Sequence, residues 1–350
     1  MATKKKERYP QVLLTNVARI FEQVTKETNK IYWQPRSAIT THLVCMRAAG
    51  WRSVDYETLM TLSGFGVSFA YEPKDKFWVS YVPPHGGDER ITQATGFGWE
   101  WLHLGSADQA WTAVKKTLDA RKPIRAPYLE DLVIAGYQAA ARKLHRKVYV
   151  LCVPFAESGQ WWTWRQFVDW FNTHSRRYLA RHTKRVKKVA ARQIAIEVME
   201  NIVGWAQNNP MANSRVYSGV RFGIEGIEAY AADIADTSKD ESYFHQGWLG
   251  CHNIYPQWTA RKCTAMYLKQ AAKKFASKVS CHLLAATREY KAAYGAWQKW
   301  ESHLGRKDKA PKGAWQTKTH RRAGAVAVRK ALEHEKSAIA EVAAALALVM

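Results

Sequence analysis

One imidazole and one thiol in this sequence stand at a spacing that could support nucleophilic chemistry. His42 precedes Cys45 by three residues, one helical turn, where a ring nitrogen could take a thiol proton. The pair lies among the apolar residues Ile39, Leu43 and Met46, so a buried structural thiol is the favoured reading. The five cysteines, Cys45, Cys152, Cys251, Cys263 and Cys281, are odd in number and widely spaced. None forms a CxxC pair or a Cys/His cluster at zinc spacing. No metal and no cofactor is therefore expected, and reduced thiols in a cytoplasmic protein are the plain reading. Glu225, Glu228 and Asp233 are spaced three and then five apart, which does not place all three on one helix face. Ion pairs to Arg215, Arg221 or Arg261 are their ordinary explanation. Two clusters could bind rather than react. Trp161 and Trp162, in the run Gln160-Trp-Trp-Thr-Trp164, could stack on a ligand or a base, although packing at a helix start explains the same density. Arg176, Arg177, Arg181, Lys184, Arg185, Lys187 and Lys188 could track a phosphate backbone, with a charged surface helix as the plain alternative.

The elements that must position these groups can be read from periodicity. A chain of 350 residues with 47% hydrophobic residues and 16 Trp suits two packed domains. Val17, Ile20, Phe21 and Val24 fall at helical spacing behind a basic tail. Residues 37–50 and 55–63 read as two further helices, the second capped by Ser53. From Phe65 to Trp101 glycine, proline and aromatic residues suggest strands and long loops. A helix over 110–119 precedes two β-rich runs, 132–137 and 147–153, which read as a hairpin; a helix over 164–172 follows. Beyond Arg192 the pattern is almost wholly helical, with long helices over 216–236 and 257–304 and a last one after the Arg306 to Arg322 linker. The expected organisation is a basic tail and helix over 1–30, an α+β domain over 31–173, an all-α domain over 174–305, and a linker and C-terminal helix over 306–350.

The formal charge of +23 favours polyanionic partners at long range, but it bears on solubility and nonspecific association more than on fold. The N-terminus lacks the apolar stretch of a secretory signal, and no run approaches a membrane span. The segment from Ile339 to Met350, which holds Glu341, reads as a terminal amphipathic helix.

Several motifs carry a resemblance. The segment Ser37-Ala-Ile-Thr-Thr-His-Leu-Val-Cys-Met-Arg-Ala-Ala-Gly50 resembles the nucleophile helix of bacteriocin-processing cysteine peptidases. Val54-Asp-Tyr-Glu-Thr-Leu-Met-Thr-Leu-Ser-Gly-Phe-Gly66 matches their short second helix and glycine turn. Gly64-Phe-Gly66 followed by Phe69-Ala-Tyr71 is similar, more narrowly, to the N-terminal family of butirosin-biosynthesis protein H. Arg121-Lys-Pro123, the strands over 132–137 and 148–154, and Trp161-Trp-Thr-Trp-Arg-Gln-Phe167 follow in the family's order. In the second half, Gly223-Ile-Glu-Gly-Ile-Glu-Ala-Tyr230 and the helix from Trp258 to Lys269 resemble the family's C-terminal region.

The resemblance implies a papain-like, cysteine-peptidase-like N-terminal domain followed by an all-α domain, and an ancestor that moved an acyl group from a carrier protein to an amine. Such a site needs a Cys at a helix N-terminus, a His to take its proton and a third residue to orient the His. Here the nucleophile position falls on Ser37, thirteen residues before Gly50, the histidine position on Glu130, and the orienting position on Val153. No histidine lies between His103 and His145, so the triad is absent as a unit. Gln34 could offer an oxyanion amide, although it sits closer to the nucleophile position than is usual, and Asp131 is a second carboxylate at the histidine position. The expectation is a degenerate papain-like protein that binds a peptide-like, acyl or amine ligand in an interdomain cleft, through Gln34, Asp131, Trp161 and Trp162, without cysteine catalysis. One alternative is an acyltransferase or amidase using Ser37 with Glu130, with an acyl carrier protein as partner; another is a sequence-independent nucleic-acid binder.

Overall fold

Apolar residues one turn apart make the segment Thr15–Ile31 helical, and Val17, Phe21 and Val24 are buried along it. The computed structural model describes residues 10–31, 37–71, 87–126, 131–152, 159–175, 177–207, 220–239, 255–305 and 309–350. The chain runs β1 (Gln11–Leu13), α1 (Thr15–Ile31), α2 (Ser37–Ala48), α3 (Tyr56–Leu62) and β2 (Ala70–Tyr71). It continues through α4 (Gly87–Thr95), β3 (Phe97–His103), α5 (Ala107–Asp119), β4 (Ile124–Ala126), β5 (Leu132–Gln138) and β6 (Lys147–Cys152). Then come β7 (Gln160–Thr163), α6 (Trp164–Thr173), β8 (Tyr178–Arg185), α7 (Ala191–Gln207), β9 (Arg221–Phe222) and α8 (Gly223–Ala235). Three long helices close it: α9 (Tyr255–Ala272), α10 (Ser277–Leu304) and α11 (Lys318–Ala347). The fold is mixed α and β around an antiparallel sheet, compatible with the α+β class, and no helix among the described residues is long and apolar enough to cross a membrane.

The chain forms two units, one of residues 1–56 and 95–187, the other of 57–94 and 188–350. The expected first domain ran unbroken from 31 to 173; the first unit instead leaves out 57–94 and extends through β8. Long-range pairing is the reason, because β8 completes the sheet of the first unit while β2 pairs with β9 in the second.

In the first unit the strand order is β3-β8-β4-β5-β6-β7, with β1 also on β5. Leu132, Val133, Ile134 and Ala135 of β5 are all fully buried, so both faces of that strand are covered. This is why its sequence is a continuous apolar run rather than an alternation. The hairpin expected from the two β-rich runs is present, with Leu132 opposite Cys152 and Gln138 opposite Lys147. The basic stretch after His174 is a strand, not a surface helix. Arg177 turns the chain with φ 63, and β8 then bonds to β3 on one side and β4 on the other. Ladder bonds on both edges outweigh the weak local preference of a lysine- and arginine-rich segment.

In the second unit the expected helix over 257–304 is two, α9 and α10, separated at 273–276. The helix expected over 216–236 is α8 alone; residues 211–219 lie outside the described set. The short helix α3 starts at Tyr56, which puts its cap position at Asp55 rather than Ser53. Three motifs quoted above converge in this unit. The Gly223 N–H donates to the Phe69 carbonyl at 2.7 Å, and Phe69 and Tyr71 pack on Tyr230 at 6.3 and 5.3 Å between ring centres. Arg261 of α9, wholly buried, donates to the Ser68 and Val67 carbonyls and makes a two-pronged pair with Glu335 of α11, both bonds 2.8 Å. The carboxylates Glu228 and Asp233 pair with Lys336 and Lys239, while Arg261 is taken by Glu335.

Candidate functional site

Ser37 is the first residue of α2, at the end where unpaired backbone N–H groups and the helix dipole favour negative charge. Its side chain does not cap its own helix. The Ser37 hydroxyl oxygen accepts the Asp131 N–H at 3.1 Å, so the helix end is fastened to the residue that leads into β5. Thr41 donates to the Ser37 carbonyl at 2.8 Å, and Ser37 is 6% exposed. The Asp131 carboxylate accepts from Arg125 Nε of β4 at 2.7 Å, with both side chains largely buried. The Arg125 guanidinium in turn lies 5.2 Å from the centre of the Trp101 ring on β3. Ser37, Asp131, Arg125 and Trp101 thus form a contiguous chain of contacts from the helix end across the sheet.

Further along α2 the chemistry closes down. Cys45 is fully buried, and burial pushes its thiol up to about 12, opposed only in part by Arg125. A thiol in that state is no nucleophile near neutral pH. His42 is buried and stacks on Trp99 at 4.8 Å, and it leans on Phe97 at 5.8 Å. His182 of β8 stacks on the other partner, Phe97, at 4.4 Å. Burial, with Lys122 and Arg185 nearby, lowers His182 to about 4, so it is neutral at pH 7. Both histidines belong to an aromatic core.

The sequence-derived residues divide in space. Ser37 and Asp131 meet, whereas Gln34, Glu130, Val153 and Arg176 lie outside the described residues. Trp161 and Trp162 stand elsewhere on the sheet. They pair with Tyr149 and Val148, and Tyr149 in turn pairs with Gly136, five residues past Asp131. That separation is roughly 15 Å along the strand. Their rings pack on Tyr149 and on Trp170 of α6, at 5.2 and 5.9 Å. Of the basic set, Arg181 pairs with Glu100 at 2.9 Å, Arg185 covers the Trp51 ring at 4.6 Å, and Lys184 and Lys187 are exposed. Among the described residues no group of His, Cys, Asp and Glu is placed to hold a metal ion.

Sequence reasoning missed Arg125, Trp101 and Tyr178. The signal available was the alternation Gly98-Trp-Glu-Trp-Leu-His103, which sets Trp99, Trp101 and His103 on one face of a strand. No protein-family model matches this chain, and no curated protein matches it.

Proposed function

We propose that the first unit is a papain-like domain of the butirosin-biosynthesis protein H type that has lost cysteine catalysis and binds a peptide-like, acyl or amine ligand beside the N-terminus of α2. The observation that carries this reading is the bond from the Asp131 N–H to Ser37 Oγ. A papain-like site requires a helix whose first residue faces the start of a strand bearing the base. Here the helix end and strand start meet in that way, but a serine and an aspartate stand at the junction. The aspartate carboxylate is engaged by Arg125, and the one thiol on the helix is held protonated. Among the described residues, what is left at the helix end is a set of donors suited to a carboxylate, carbonyl or phosphate group.

Intact-mass spectrometry after exposure to a fluorophosphonate and an acyl-thioester probe tests the reading, with Ser37→Ala beside the natural chain. The expected result is no adduct in either protein. A single adduct that disappears in Ser37→Ala would replace the binding role by an acyl-transfer or amidase activity at the same serine.

A further inference from the structure

One face of the β3–β8 pair exposes a row of rings. Trp101 and Tyr178 are 38% and 40% exposed, unusual for such large side chains, and His103 beside them is exposed as well. The pleat explains the row. His103 is directly opposite Tyr178, and Trp101 is opposite Ala180, so all four residues share one face. The rings touch in sequence, Trp101 to Tyr178 at 6.4 Å and Tyr178 to His103 at 4.8 Å. An exposed cation, Arg177, precedes Tyr178 at one end of the row, whereas the Arg125 guanidinium against Trp101 is buried and held by Asp131.

Charge is concentrated in the same unit. Residues 1–56 and 95–187 hold 26 Lys and Arg against 11 Asp and Glu, whereas the larger second unit holds 27 against 19. A neutral ring-bearing ligand would gain nothing from that imbalance, while a polyanion would. Rings on an open sheet face stack unpaired bases, and neighbouring arginines take the phosphates between them. From these observations we infer that the Trp101–Tyr178–His103 face of β3 and β8 binds single-stranded nucleic acid, with little sequence preference. The inference does not rest on the ligand proposed at Ser37, and the adduct experiment above neither supports nor weakens it.

The test is fluorescence anisotropy of labelled oligothymidylate and oligouridylate of about fifteen nucleotides with the full chain, from about 50 to about 300 mM salt. Binding that weakens as salt rises is expected. Trp101→Ala and Tyr178→Ala should each weaken it about tenfold at fixed salt, the worth of one lost base stack. Trp101→Phe should recover most of that loss, and Arg177→Ala should lower the salt slope by about one phosphate contact. Circular dichroism melts of each variant check folding; if Trp101→Ala does not fold, Tyr178→Ala decides. Three outcomes overturn the inference: no binding at the lowest salt, alanine variants that bind as the natural chain does, or equal displacement by a duplex or by polyglutamate. The second would leave attraction by charge alone, and the third a general polyanion surface.

Discussion

A serine oxygen that accepts a backbone N–H has one lone pair committed before any ligand arrives. For Ser37 that bond comes from Asp131, whose carboxylate is itself held by Arg125. The three groups therefore fix one another, and the described part of the junction is ordered by polar contacts. At the same scale His182 makes a pH prediction. Its folded value near 4 lies below the ordinary 6.5, so between those values the unfolded chain holds the proton more readily than the folded one. The stability that His182 contributes is present above pH 6.5 and drains away as pH falls towards 4. Urea midpoints measured from pH 7.5 to 4 should fall for the natural chain, and His182→Phe should flatten part of that decline.

Among the elements, α8 shows how one glycine sets a packing distance. A methyl group at Gly226 would sit 2.6 Å from the Arg221 carbonyl and 3.1 Å from the Phe69 ring, both parts of the β2–β9 junction. Backbone cannot yield there as a flexible side chain could. Gly226→Ala should therefore destabilise the second unit by about 1–3 kcal/mol despite the better helix propensity of alanine, which thermal unfolding would register. A neutral or raised midpoint would mean that α8 shifts freely against the strand pair. The C-terminus of this helix is also tied down. Arg321 of α11 donates to the Ile234 carbonyl at 3.1 Å and to those of Asp233 and Asp236, satisfying acceptors that a helix end leaves unmet. β8 makes the complementary point, since its lysines and arginines form a strand only because β3 and β4 supply ladder partners on both sides.

At the scale of the whole molecule, the buried Arg261–Glu335 pair in the second unit joins α9 and α11 and reaches the backbone of the Gly64–Tyr71 segment. A charge left alone in such a place is costly. Glu335→Ala should remove roughly 3–5 kcal/mol of stability, and Arg261→Met with Glu335→Leu should recover much of it, because two well-packed apolar chains need no counter-charge. Denaturant unfolding of the three proteins checks this, and equal losses in the single and double variants would contradict it. The uneven charge of the two units belongs to this scale too. It cannot select a fold, but it makes the first unit the more electropositive of the two by composition.

Local periodicity alone determined the helix from Ser37, the hairpin of β5 and β6, and the burial of Cys45, because each depends on neighbours within a turn or across a short loop. Ser37 and Asp131 became candidates through the family resemblance, not through periodicity. Only the tertiary structure decided that their atoms meet, since 94 positions separate them. The same holds for the strand state of the basic segment, the assignment of residues 57–94 to the second unit, and the rings exposed beside Ala180. Each of these depends on partners far away in sequence, and no window of residues contains both sides of such a contact.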